Sequence, residues 1–165
     1  MRSRRKGIDF GWEVQAARQR DYGDNPMSID ADYLHLNLSV SSESVGLTLG
    51  SETLGGNSFD GAFQTPLATL YLFNGWADKF LSTPVAGLED NYLELIAKTG
   101  PVSWKGSCHD FSSDSSAIDY GTELDFQVSY KTPWGQTLAV TAAFYDADRF
   151  STDTTKVWIW TSWGQ

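Results

Sequence analysis

The 165-residue sequence is poor in cysteine, histidine and positive charge, and it has no long apolar run. Its single cysteine, Cys108, excludes an internal disulfide and any metal site built from several cysteines. It reads as a small apolar filler on a strand. With 12 Lys and Arg against 21 Asp and Glu, the net charge is -9. The chain therefore lacks the basic face that nucleic-acid phosphates require, and nucleic acid is excluded as a partner. No stretch approaches the roughly 20 consecutive apolar residues of a membrane-spanning helix. The locally basic Arg2, Arg4, Arg5 and Lys6 are not followed by an apolar run, so they do not begin a signal peptide. For an exported protein, the expectation is a mature chain or a missing true N-terminus.

What is abundant is aromatic and alternating. Hydrophobic residues make up 41% and aromatics 14%, with Trp 7, Tyr 7 and Phe 9, a composition that argues against intrinsic disorder. Such amphipathic rings suit a sugar-binding surface or a membrane interface. The length is that of one domain, residues 1–165. In the run Tyr33 to Val40, Leu34, Leu36, Leu38 and Val40 point one way and Tyr33, His35, Asn37 and Ser39 the other. A period of two is a β-strand.

The same pattern predicts about eight strands, near 8–19, 30–40, 44–53, 90–98, 102–110, 121–131, 136–146 and 155–164. Their apolar faces include Ile8, Phe10, Trp12 and Val14; Leu124, Phe126, Val128 and Tyr130; Leu138, Val140, Ala142 and Phe144. The opposite faces carry Asp9, Glu13, Gln15, Glu52, Glu94, Lys98, Lys105, His109, Glu123, Asp125, Gln127, Lys131 and Lys156. They are too polar for a protein core. Alternation alone also fits a soluble lipocalin-like barrel or β-sandwich.

Connection lengths add a second signal. Short links at 41–44, 99–101 and 132–135 alternate with long ones at 19–29, 54–90, 111–121 and 146–154. Outer-membrane barrels keep this rhythm of short periplasmic turns and long extracellular loops. Each strand also approaches the roughly 9–11 residues needed to cross a bilayer at a tilt. On this reading Phe10, Trp104, Tyr130 and Trp163 form an aromatic girdle at the periplasmic end. Val140 faces lipid and Thr141 the lumen. The lumen-lining candidates are His35, Asn37, Glu94, Lys98, Lys105, Asp125, Gln127 and Lys131, with Lys105, Glu94 and Asp125 expected to pair across the lumen if the barrel closes.

Residues 54–89 are too long for a passive connection. Thr65-Pro66-Leu67 reads as a helix start and Asn74-Gly75 as its stop, so a short helix ending near Phe73 is expected. Phe63, Leu70, Phe73, Trp76 and Phe80 are expected to cluster. Phe63, Phe73, Trp76 and Lys79 are constriction candidates if the loop folds over or into the barrel mouth; a self-packed external loop is the alternative.

No G-x-S-x-G, H-E-x-x-H, phosphate-binding glycine loop or dinucleotide fingerprint occurs, so no catalytic residue, cofactor or metal is assigned. A Ser-His-Asp constellation has only His35 or His109 to draw on. His35 reads as lumen-lining; His109-Asp110, beside the serines of 112–116, is where a membrane-anchored hydrolase would have to be built. Asp146, Asp148 and Asp153, like Asp24, Asp30 and Asp32, lack a calcium-loop pattern and read as solvated loop acids.

The runs Phe63-Gln64-Thr65-Pro66-Leu67-Ala68-Thr69-Leu70 and Phe73-Asn74-Gly75-Trp76-Ala77-Asp78-Lys79-Phe80-Leu81-Ser82-Thr83-Pro84 resemble a signature of alginate-export-type outer-membrane barrels. So do His109-Asp110-Phe111, Asp119 to Asp125, Tyr145 to Asp148, Thr152 to Trp158, and upstream Tyr22 to Pro26 and Ser28 to Tyr33. The resemblance implies an all-β, antiparallel, up-and-down transmembrane barrel or partial barrel. It also implies that the chain is the C-terminal half of a porin-like channel with about twice as many strands. Implied partners are Gram-negative outer-membrane lipid, the barrel-assembly machinery, and a small polar or anionic solute or polysaccharide in transport. Two features depart from that pattern. Gln165 stands where such barrels end on an aromatic, with Trp163 two residues earlier, and the mixed charge of the inner face does not favour alginate. The competing reading is a soluble β-sandwich that binds carbohydrate through exposed Trp and Tyr.

Overall fold

The computed structural model describes residues 3–5, 7–24, 29–57, 59, 61–65 and 74–163. The strands are β1 (Ser3–Arg5), β2 (Ile8–Arg20), β3 (Asp30–Ser41), β4 (Val45–Leu54), β5 (Leu88–Thr99), β6 (Val102–Ser112), β7 (Asp119–Lys131), β8 (Gln136–Ala147) and β9 (Thr154–Trp163). They form one antiparallel sheet in chain order. All eight expected strands are present, with ends displaced by a residue or two. The three-residue β1, paired with β2 through Arg4 and Asp9, was not anticipated. A sandwich needs two sheets packed face to face; here the strands share a single sheet. Among the described residues no pairing joins β9 back to β1 or β2, so the sheet is open rather than a closed barrel.

The turn chemistry explains the tight ends. At Gly100-Pro101, between Thr99 and Val102, Gly100 takes φ 59°. Proline holds its own φ near -65°, so only the first central residue is left-handed, as in a two-residue II′ hairpin turn. Residues 42–44 and 132–135 close the other short links, Thr132 Oγ1 accepting from the Gln136 N–H at 2.9 Å. The links at 21–29, 55–87, 113–118 and 148–153 are the longer set. The β6–β7 link is shorter than expected because Ser112 and Asp119 continue the ladder across a bulge.

The strand register assembles the apolar faces into one surface. Trp12 lies opposite Leu38, Leu38 opposite Leu49, and Leu49 opposite Leu93. The row continues through Cys108 and Leu124 to Phe144. These side chains are exposed, Leu38 at 65% and, in the row beside it, Val157 at 61%. Cys108, expected as filler, is exposed within this surface. At the short-turn end the surface carries Phe10, Trp104, Tyr130 and Trp163. At the long-loop end it gives way to charge, where Arg18 pairs with Asp30 at 2.6 Å. We call this the outer face.

The other, inner face supports the buried core. Leu54, Leu88, Phe111, Ala143 and Tyr145 pack there against Trp76, Ala77 and Phe80 of the β4–β5 connection. The expectation that this face is too polar for a core therefore fails at its long-loop end, where strand-terminal apolar residues meet the loop. Phe80 lies 4.6 Å from Phe111 and 5.2 Å from Phe150, ring to ring. Phe63 stacks on Tyr33 at 5.2 Å, at the margin of the core rather than at its centre. The expected helix falls, from Pro66 onward, outside the described residues, as do Leu70 and Phe73. Among the described residues there is no helix.

Candidate functional site

The site is built where the long connection meets the inner face. Asn74 and Gly75 both have left-handed backbones, with φ 53° and 83°. Asn tolerates this conformation through its short polar side chain and Gly through the lack of a Cβ. The sharp turn they make aims the N–H groups of Trp76 and Ala77 at one oxygen of Glu123, 2.5 Å and 2.7 Å away. A carboxylate receiving two adjacent backbone N–H groups anchors the loop through charge-assisted hydrogen bonds.

Other strands grip the same few residues. Asn74 donates to Glu52 on β4 at 2.7 Å and to Asp90 on β5 at 3.4 Å. The Lys105 ammonium of β6 stands 5.5 Å from the Trp76 ring centre. Lys156 of β9 donates to the Trp76 carbonyl at 3.2 Å and pairs with Asp78. Trp76 meets Trp158 edge-on at 6.5 Å. A flat sheet would spread β4 to β9 over about 24 Å at about 4.8 Å per step. Residues 74–76 reach across all of them except β8, so these strands curl around the loop.

Between the loop and strands β2 to β6 lies a cavity of about 220 Å³. Glu52 and Asp90 occupy directly opposite positions on β4 and β5. Glu52 accepts from the Tyr33 hydroxyl at 2.6 Å. His109 Nδ1 donates to Asp90 at 2.9 Å. The His35 Nε2 and the Tyr92 hydroxyl share a hydrogen bond of 2.9 Å, and the Tyr92 ring lies across Gly50, where a Cβ would sit 2.2 Å from it.

The eight lumen candidates share the inner face but not one role. His35, Glu94 and Lys105 line the cavity. Asn37 bonds Glu13 at 3.2 Å, and Gln127 accepts from Thr141 at 3.2 Å. Lys98 and Lys131 lie exposed at the short-turn end. In the open sheet, one pair of the three residues expected to meet in a closed barrel does so. Lys105 pairs with Glu94 at 2.8 Å, whereas Asp125 is 1% exposed, accepts from Ser107 at 3.3 Å and faces His109 at 3.7 Å. Register explains the difference: Asp125 sits opposite Ser107, one inner-face position further along β6 than Lys105. Thr141 is likewise no open lumen position, being 2% exposed and bonded to Trp160 at 3.2 Å.

Of the constriction candidates, Trp76 is buried in the core, Phe63 is half-buried beside Tyr33, and Phe73 lies outside the described residues. Lys79 ties the loop to the β8–β9 connection through Thr154 Oγ1 at 2.7 Å and the Thr152 carbonyl at 2.9 Å. His109 and Asp110 face opposite ways, and the carboxylate partner of His109 is Asp90. Among the described residues no group of three or more His, Cys, Asp or Glu is arranged to hold a metal ion. Asp153 accepts from the Ala147 N–H at 2.9 Å, an anchor rather than a solvated acid.

Sequence reasoning did not single out Asn74, Asp90, Tyr92 or Glu123 as site residues. The signal available in the sequence is Asn74-Gly75, a pair that serves equally as a helix stop. Compared with protein-family models, curated proteins and solved structures, the chain finds no match in any of the three. The likeness to alginate-export-type barrels rests on the sequence motifs alone.

Proposed function

We propose that this chain is a membrane-spanning part of an outer-membrane β-barrel, porin-like and alginate-export-like in kind, that passes small polar solutes along its inner face. The observation that carries the reading is the outer face: an apolar surface continuous in register from β2 to β9, bounded by aromatics at one end and ion pairs at the other. Monomeric soluble proteins rarely expose an apolar patch above a few hundred Å². In lipid each such leucine or isoleucine gains about 1.5–3 kcal/mol that water denies it. The inner face supplies the charged and hydroxylated lining of a solute path, and the loop around Trp76 narrows it. An outer-membrane location and assembly by the barrel-insertion machinery follow from the same reading.

Quenching of tryptophan fluorescence by brominated lipid tests it. Emission from Trp104 and Trp163 should be quenched in reconstituted bilayers and that of Trp76 spared, each assigned through its Trp→Phe variant. A chain that stays in solution without detergent, or in which Trp76 is quenched as strongly as Trp104, would remove the proposal.

A further inference from the structure

The apolar outer face has two borders, and the strand register lets both be traced across the sheet. The border at the short-turn end is aromatic: Phe10 on β2, Trp104 on β6, Tyr130 on β7 and Trp163 on β9. At the long-loop end the outer positions turn polar at Arg18 on β2, Asp32 on β3, Asn91 on β5, Asp110 on β6, Thr122 on β7 and Thr155 on β9.

Neither border runs straight across the strands. The row of paired residues through Phe10 reaches β9 at Val157, six residues short of Trp163. The row that ends on β9 at Thr155 begins on β2 at Trp12, six residues short of Arg18. The two borders therefore slant in the same direction by the same amount. Six residues of strand are about 20 Å, and the seven steps from β2 to β9 span about 34 Å, so each border is inclined by about 31°. Phe10 and Arg18, Tyr130 and Thr122, and Trp163 and Thr155 are each eight residues apart. That separation is about 27 Å along the strand and about 23 Å measured perpendicular to the borders.

Parallel borders are the outline of a slab. A protein partner covers a patch of its own shape, and water calls for no border at all. A bilayer requires both, and the inclination of about 31° lies close to the tilt of about 35–45° at which strands cross one. We propose that the outer face is fitted to a thin bilayer, with hydrocarbon about 23 Å deep, rather than to the roughly 30 Å of a typical membrane. The inference rests on the membrane-spanning reading and deepens it by naming the lipid, one of short acyl chains. Thicker hydrocarbon would reach over Asp110 and the Arg18–Asp30 ion pair, and charge is costly there.

The test is urea unfolding of the full chain in fluid vesicles of dilauroyl, dimyristoyl, dioleoyl and dierucoyl phosphatidylcholine, in order of increasing thickness. Mismatch costs accumulate with each ångström. The folding equilibrium should be at least 10-fold more favourable in dimyristoyl than in dierucoyl vesicles. The triple change Asn91→Leu, Asp110→Leu and Thr122→Leu raises the polar border by one outer position on three adjacent strands, at exposed sites paired in register. It should reduce that ratio at least threefold. Equal stability across the four lipids, greatest stability in the thickest, or a folded triple variant with an unchanged ratio would each overturn the proposal. If the triple variant fails to fold, the lipid series on the unaltered chain decides alone. Quenching of Trp104 by brominated lipid separates the two readings. A chain quenched in every lipid but indifferent to thickness defeats this inference and leaves the membrane reading standing; one quenched in none defeats both.

Discussion

Gly75 lies against the carboxylate of Glu123 so closely that a Cβ on residue 75 would stand 2.6 Å from Oε2. The contact joins a turn in a long connection to a strand almost fifty residues later, and it holds the loop inside the curled sheet. Gly75 also has φ 83°, which L side chains rarely adopt. Gly75→Ala should therefore destabilise the chain by about 1–3 kcal/mol and release the loop. Urea unfolding in detergent and protease cleavage near residues 74–83 measure the two effects; unchanged stability would mean that the loop is not anchored here.

Glu123 offers one oxygen to two buried N–H groups. Glu123→Ala leaves both donors without a partner, and each orphaned buried group costs about 1–3 kcal/mol. Glu123→Gln keeps an acceptor and should cost distinctly less. Equal costs in thermal unfolding would assign the stabilisation to charge alone.

The two faces of β4 should respond differently to the same charge. Leu47 is on the outer face and exposed, while the adjacent Thr48 is on the inner face opposite Glu94. In a lipid-based unfolding assay Leu47→Arg should cost roughly 2–4 kcal/mol near the bilayer midplane. Thr48→Arg gains a carboxylate neighbour and should cost under about 1 kcal/mol. Equal penalties would show that the outer face does not meet hydrocarbon.

Gly50 leaves room for the Tyr92 ring. Gly50→Ala should push Tyr92 aside, break its hydrogen bond to His35 and weaken β4–β5 pairing by about 1–3 kcal/mol. The hydrogen-exchange rates of the β4 and β5 amides report the loss, and β8 and β9 should be unaffected.

The open sheet and the packed loop bear on conduction. An eight-stranded barrel is filled by side chains, whereas one of about 16 strands leaves an aqueous channel. The chain alone should give no large, stable, ohmic steps in planar bilayers. Such steps would mean that the described strands form a complete pore.

The strands and the division of their faces were legible from residue order because a β-strand turns its side chains over every second residue, and that period needs no partner to be seen. Leu34, Leu36 and Leu38 share a face whatever they pack against. The short links were legible for the same local reason, since Gly100-Pro101 favours its turn by dihedral preference alone. Which strand positions would meet across the sheet was not legible, because register depends on pairing between distant segments. Hence Lys105 was grouped with Asp125, and Glu52 was not seen to oppose Asp90. The inner core was hidden for a related reason. Leu54, Leu88, Phe111 and Tyr145 lie at strand ends and show no periodic excess of apolar residues. They are buried because the loop bearing Trp76 and Phe80 returns onto them, held by two backbone N–H groups that any sequence possesses and only the folded chain aims at Glu123.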